Sequence, residues 1–112
     1  MPKSLGFLDT APFAVKEGAR AIGARLTTAR KRRRLTLRGL AAKAGISYDT
    51  ARAAEAGKLQ TGLGAYLAML WAMGLEAEIA AFIDPERDAE GKQLERARLP
   101  QRVRKETDDA DF

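Results

Sequence analysis

An all-α fold is predicted, on three observations. Apolar residues recur at three- and four-residue spacing rather than alternating. Hydrophobic residues make up 46% of the 112 positions but aromatics only 6%, and much of the remainder is alanine, which favours closely packed helices over a sheet-based core. Glycines and prolines fall where the periodic segments end. The length suits one small domain with tails.

The elements follow in order. Met1–Phe13 has no clear period, and residues 1–15 read as a flexible arm. Its Leu5, Phe7, Leu8 and Phe13 are available to staple onto the core or a second subunit. A first helix is expected over Lys16–Arg33, with Ile22, Leu26 and Ala29 inward. The run Arg30-Lys31-Arg32-Arg33-Arg34 closes it and suits the negative end of the helix dipole. Thr36 is a good N-cap for a second helix, Leu37–Ala44, which places Leu37, Leu40, Ala41 and Ala44 on one face. Gly45 supplies a positive φ, and Ile46 plugs the corner. Ser47 caps a third helix, Tyr48–Glu55, with Thr50, Ala51 and Ala54 inward and Tyr48, Asp49 and Arg52 outward.

A loop over residues 57–62 leads to a fourth helix, Leu63–Met73. Leu63, Leu67, Leu70 and Met73 or Trp71 lie there at helical spacing, and Gly74 ends it. A short fifth helix, Glu76–Ile83, stops at Asp84-Pro85, because proline lacks a donor and disfavours helix before it. Asp88 can cap a sixth helix to about Arg98, broken by Leu99-Pro100. The division is therefore an arm (1–15), a helical domain (16–83), an extension (84–104) and an acidic tail (105–112) with little to bury.

Composition narrows the chemistry. The chain has no cysteine and no histidine, which removes disulfides, thiolate chemistry and the side chain most used for acid–base catalysis near neutral pH. No cofactor, metal or enzymatic activity is expected. Asp84, Glu86, Asp88 and Glu90 lack the central glycine of a calcium loop. Met69, Trp71 and Met73 read as core rather than a ligand box. No apolar run approaches a membrane span, and no signal-peptide core is visible. A soluble, cytoplasmic protein is expected.

Charge is asymmetric. Residues 1–62 hold 13 Lys and Arg against 4 Asp and Glu, whereas residues 63–112 hold 7 against 11. Between Arg20 and Lys43 lie nine basic residues and no acidic one. A one-signed field beside two short helices steers a small domain toward a polyanion.

Helix, Gly-containing turn, helix is the arrangement that presents a helix to the DNA major groove. The stretch Leu35–Gly57, with Gly45-Ile46-Ser47, Thr50 and Glu55-Ala56-Gly57, resembles the XRE (lambda repressor and Cro-like) family over roughly residues 19–83. The resemblance implies a lambda-repressor-like five-helix DNA-binding domain with a short C-terminal extension. The chain departs from the family twice. Leu37 stands where the family usually has a DNA-contacting Gln. Ala51 and Ala54 replace bulky core residues, which implies a close helix approach or compensation by neighbours such as Trp71 and Met69.

Candidate base contacts are Ser47, Tyr48, Asp49 and Arg52, since the start of a recognition helix points deepest into the groove. Ser47 has an equal claim as a mere cap. Asp49 is either a cytosine reader or, the favoured reading, a partner of Arg52. Phosphate candidates are Arg30, Arg34, Arg38, Lys43 and Lys58, and Glu55 is expected to pair with an arginine such as Arg30 or to cap the following loop. A homodimer is expected, because one recognition helix reads too few base pairs. Leu75, Ile79, Phe82 and Ile83 supply an apolar surface for it, and Val103 could add a short intersubunit strand. Asp84-Pro85 through Leu99-Pro100-Gln101-Arg102-Val103-Arg104 resembles the extension of HipB-like antitoxins. That implies a repressor whose partner is a HipA-like kinase toxin. A stand-alone phage-like or metabolic regulator, or an interaction module without DNA binding, remain the alternatives.

Overall fold

The computed structural model describes residues 10–99. The elements among the described residues are α1 (Phe13–Arg32), α2 (Leu37–Ala44), α3 (Tyr48–Glu55), α4 (Leu63–Ala72), α5 (Glu76–Ala80), the 3₁₀ turn Pro85–Arg87 and α6 (Ala89–Arg98). No strand occurs among the described residues. The chain is all-α. It falls into two compact units that divide between Ile79 and Ala80.

In the first unit α2 packs on α3 and α4, and α3 packs on α1 and α4. Leu26, Leu40, Ala41, Ala51, Ala54, Met69, Ala72 and Met73 form the core. Leu40, Ala51, Ala54 and Met69 are wholly buried. The small α3 face is accommodated by close approach. A Cβ added to Gly23 of α1 would lie 2.4 Å from the Glu55 carbonyl oxygen and 2.8 Å from that of Ala54. At Gly57, which has φ 74°, a Cβ would lie 2.6 Å from the Arg20 Cα. Two glycines thus let α3 lie against α1, with Met69 of α4 wholly buried in the same core.

That approach sets which side of α1 is inward and corrects the expectation for Ile22, while the burial pattern of α4 corrects those for Leu63 and Trp71. Gly23 and Leu26 are buried and Ala29 is partly so. Ile22, about 100° around the helix from Gly23, is left 48% exposed. On α4 the buried line is Met69, Ala72 and Met73, so Trp71 points away from it and is 58% exposed, as is Leu63 at 64%. This helix is apolar nearly all round, so spacing alone could not select its inward stripe.

Four successive helices end in one hydrogen-bonding pattern. An amide two or three residues past the helix reaches back to close a six-residue turn, in Leu35 N to Arg30 O at 3.3 Å, Ile46 N to Ala41 O at 3.0 Å, Lys58 N to Ala53 O at 3.0 Å and Leu75 N to Leu70 O at 2.8 Å. This is the Schellman motif, which requires a left-handed residue after the helix. Gly45, Gly57 and Gly74 fill that position at three ends, and Arg34, with φ 55°, fills it at the fourth.

α1 begins at Phe13, earlier than expected, because the Pro12 carbonyl accepts from the amides of Val15 and Lys16 at 3.0 and 3.2 Å. α5 ends at Ala80 rather than Ile83. Pro85 disfavours helix just before it, and the chain turns through Ile83 at φ 53°.

In the second unit Asp84 accepts from the Glu86 amide at 3.0 Å. Asp88 caps α6, accepting from the Gly91 amide at 3.0 Å. Neither the 3₁₀ turn nor α6 carries a buried residue. Lys92 pairs with Glu86 at 2.9 Å.

Candidate nucleic-acid interface

The α2–turn–α3 segment is built by its caps. The Thr36 hydroxyl accepts from the Gly39 amide at 2.9 Å, and the Ser47 hydroxyl accepts from the Thr50 amide at 3.0 Å. Each satisfies an amide that the first turn of a helix leaves without a partner. Gly45, at φ 76°, reverses the chain between them. α3 then buries Ala51 and Ala54 while Asp49 and Arg52 stay exposed and Tyr48 is half-buried. A helix fixed on one face by small buried residues and presenting Tyr48, Asp49 and Arg52 on another can approach a concave polar surface closely.

The candidate base-contacting residues do not behave alike. Ser47 is committed to its cap, and it also donates to the Thr50 Oγ1 at 2.8 Å. Asp49 and Arg52 make no ion pair with each other among the described residues, which corrects the favoured reading of Asp49. Tyr48 lies under Arg38, whose guanidinium carbon sits 4.1 Å from the ring centroid.

The basic residues divide into two groups. Arg30 leaves the phosphate-contact set. Its Nε and Nη2 donate to the two Glu55 carboxylate oxygens at 2.8 and 3.0 Å, and its Nη1 donates to the Leu35 carbonyl at 3.0 Å. All three nitrogens are engaged, and the side chain is only 13% exposed. The Glu55 hydrogen bond holds Arg30 in its charged form more firmly than usual, and outweighs the burial that works against it. Glu55 therefore pairs with Arg30, as expected. Arg33 is also turned to structure: its Nε donates to the Met73 carbonyl at 3.1 Å and its Nη1 to the Ala29 carbonyl at 3.0 Å. Arg20 pairs with Glu17. Arg34, Arg38, Lys43 and Lys58 are exposed. Their side chains make no hydrogen bond or ion pair among the described residues, although Arg38 stacks on Tyr48.

Leu37 is packed against the core, so this position presents no polar group. Of the dimer candidates, Leu75 also packs against the core, which removes part of its surface from any interface. Ile79 is half-buried, and Phe82 and Ile83 are 67% and 77% exposed. Val103 lies outside the described residues, as do positions 100–112 and most of the arm.

Sequence reasoning missed Thr27. Its hydroxyl lies 2.8 Å from Glu55 Oε1, so α1 supplies three donors to one carboxylate. The signal was present in Thr27 and Arg30 standing three apart on one helix face. It missed the Arg38–Tyr48 stack because no spacing within a single helix encodes it.

Comparison of the chain with protein-family models, curated proteins and solved structures finds no match. No helix among the described residues is long and apolar enough to cross a membrane.

Proposed function

We propose that this chain is a sequence-specific DNA-binding repressor of the lambda-repressor-like type, acting as a homodimer on operator DNA. The observation that carries the reading is the uncovered face of α3, whose Asp49 and Arg52 are exposed beside Tyr48, with Arg34, Arg38, Lys43 and Lys58 exposed on the same unit. α3 enters the major groove with its start foremost. Arg52 reads a guanine through its planar pair of donors, and Tyr48 meets a base edge or thymine methyl. Arg34, Arg38, Lys43 and Lys58 hold phosphates and set register without carrying sequence information directly.

The antitoxin of a toxin–antitoxin operon is the specific role proposed, with a HipA-like kinase toxin as partner. What supports it is the resemblance of residues 84–104 to the extension of HipB-like antitoxins. Leu94 and Leu99, both exposed in the second unit, are available to such a partner.

The deciding experiment is a salt titration on the chain's own promoter. With Arg34, Arg38, Lys43 and Lys58 of both subunits on phosphates, about eight cationic side chains per dimer, log K falls against log salt with a slope of about −7. A flat titration would remove the reading. Co-purification with the product of the neighbouring gene tests the antitoxin role separately, and absence of any partner would leave a stand-alone regulator.

A further inference from the structure

Arg38 and Tyr48 belong to different helices, yet they form one object. Arg38 is the second residue of α2 and Tyr48 the first of α3. Both backbones are fixed by a capped first turn, at Thr36 and at Ser47. The guanidinium lies over the ring at 4.1 Å, within the range where the ring quadrupole attracts a cation. Neither side chain makes a hydrogen bond or an ion pair among the described residues. The stack is therefore the one directed contact that joins the two side chains.

Stacking uses the face of a guanidinium and leaves its N–H edge for an acceptor. It also narrows the rotamers of both long side chains before any ligand arrives. An arginine that only neutralises a phosphate would act alike on every sequence. An arginine that also holds a groove-facing ring decides where that ring lies against a base pair.

We propose that Arg38 is a positioning residue for Tyr48, so that the pair reads the start of each half-site as a unit and Arg38 sets sequence preference as well as affinity. This rests on the DNA-binding reading above.

The test is selection from a pool of DNA duplexes with a randomised centre. The full chain is used as wild type, Arg38→Lys, Tyr48→Phe, Tyr48→Leu and the double variant Arg38→Lys/Tyr48→Leu. Each is first checked for an unchanged circular dichroism spectrum and melting temperature. Arg38→Lys keeps the charge but loses the planar stack. It is expected to lower the preference for the selected site over scrambled DNA by about fivefold or more, at the base positions that Tyr48→Leu also relaxes. Its salt dependence should match wild type, because the charge is retained. Tyr48→Phe, which keeps the ring, retains the preference. In the Tyr48→Leu background, Arg38→Lys changes it by less than about twofold, the mark of a coupled pair. The proposal is overturned if Arg38→Lys keeps the wild-type preference, weakens selected and scrambled DNA equally, or multiplies independently with Tyr48→Leu. If wild type enriches no sequence and binds no duplex, the DNA-binding reading fails and takes this one with it. That outcome is read on the unmodified chain alone.

Discussion

Glu55 accepts from Thr27 and from two nitrogens of Arg30, and its removal would strand those two nitrogens in a site where the Arg30 and Glu55 side chains are 13% and 8% exposed, whereas Thr27 keeps the Gly23 carbonyl at 3.1 Å. Breaking one side of a buried pair costs more than the pair itself contributes. Glu55→Ala is expected to destabilise the fold by about 3 kcal/mol, measured by urea unfolding; a loss under about 0.5 kcal/mol, the size of an ordinary surface substitution, would show that the pair is solvated in practice. Because the Arg30 pKa is raised, its contribution is complete below the ordinary guanidinium value and is lost only as pH rises through the higher folded value. No histidine or cysteine adds a titration nearer neutrality. Stability set by this pair should therefore hold level between about pH 6 and 9. Arg34 makes a different prediction. It holds φ 55° where the other three helix ends have glycine, and a non-glycine residue there costs about 1–2 kcal/mol. Arg34→Gly should raise stability by about 1 kcal/mol while lowering DNA affinity. A stabilised variant with unchanged affinity would take Arg34 off the phosphate-contact set.

Between elements, the contact that governs the fold is α1 against α3. Gly23 is the point of closest approach, and a methyl group there would meet backbone rather than a movable side chain. Gly23→Ala must push α3 outward, with Ala51 and Ala54 attached to it. A loss of about 2–3 kcal/mol is expected, read as a fall in melting temperature. Gly18→Ala, at an open position on the same helix, serves as the control and should be neutral or slightly stabilising. Equal effects at both glycines would mean that helix propensity, not close approach, is the issue. The same geometry explains why small residues suffice on α3: the neighbouring backbone supplies the bulk that larger side chains would otherwise provide.

Over the whole chain, the charge asymmetry becomes selective once the structure is considered. Of the nine basic residues from Arg20 to Lys43, Arg20 and Arg30 are paired and Arg33 donates to carbonyls. Arg25, Lys31, Arg32, Arg34, Arg38 and Lys43 remain exposed. Charge reversal at Arg38 or Lys43, present in both subunits, should flatten the salt dependence of DNA binding by about two units of slope each, whereas Arg30→Gln should chiefly lower stability. Dimerisation belongs at this scale too. Phe82 is an exposed large apolar side chain, and Phe82→Glu is expected to convert a dimer to monomer by sedimentation at micromolar concentration. A wild type already monomeric there would end the two-half-site reading.

Much of this was legible in the residues themselves. Thr36, Gly45 and Ser47 determine α2, the turn and α3, because capping and positive φ are local requirements that neighbouring atoms satisfy; both helices begin and end where the sequence places them. Asp88 likewise determines the start of α6. The absence of strands among the described residues followed from composition and periodicity. The tertiary structure alone decided which side of α1 and α4 turns inward, since Ile22 and Trp71 are as apolar as their buried neighbours and only the Gly23 approach and the Met69 packing distinguish them. It also decided which arginines are structural. Arg30 and Arg34 stand four apart in one basic run, and nothing in that run separates an arginine locked onto Glu55 from one left exposed. Their difference arises where α3 crosses α1, and a carboxylate 25 residues away along the chain becomes a neighbour.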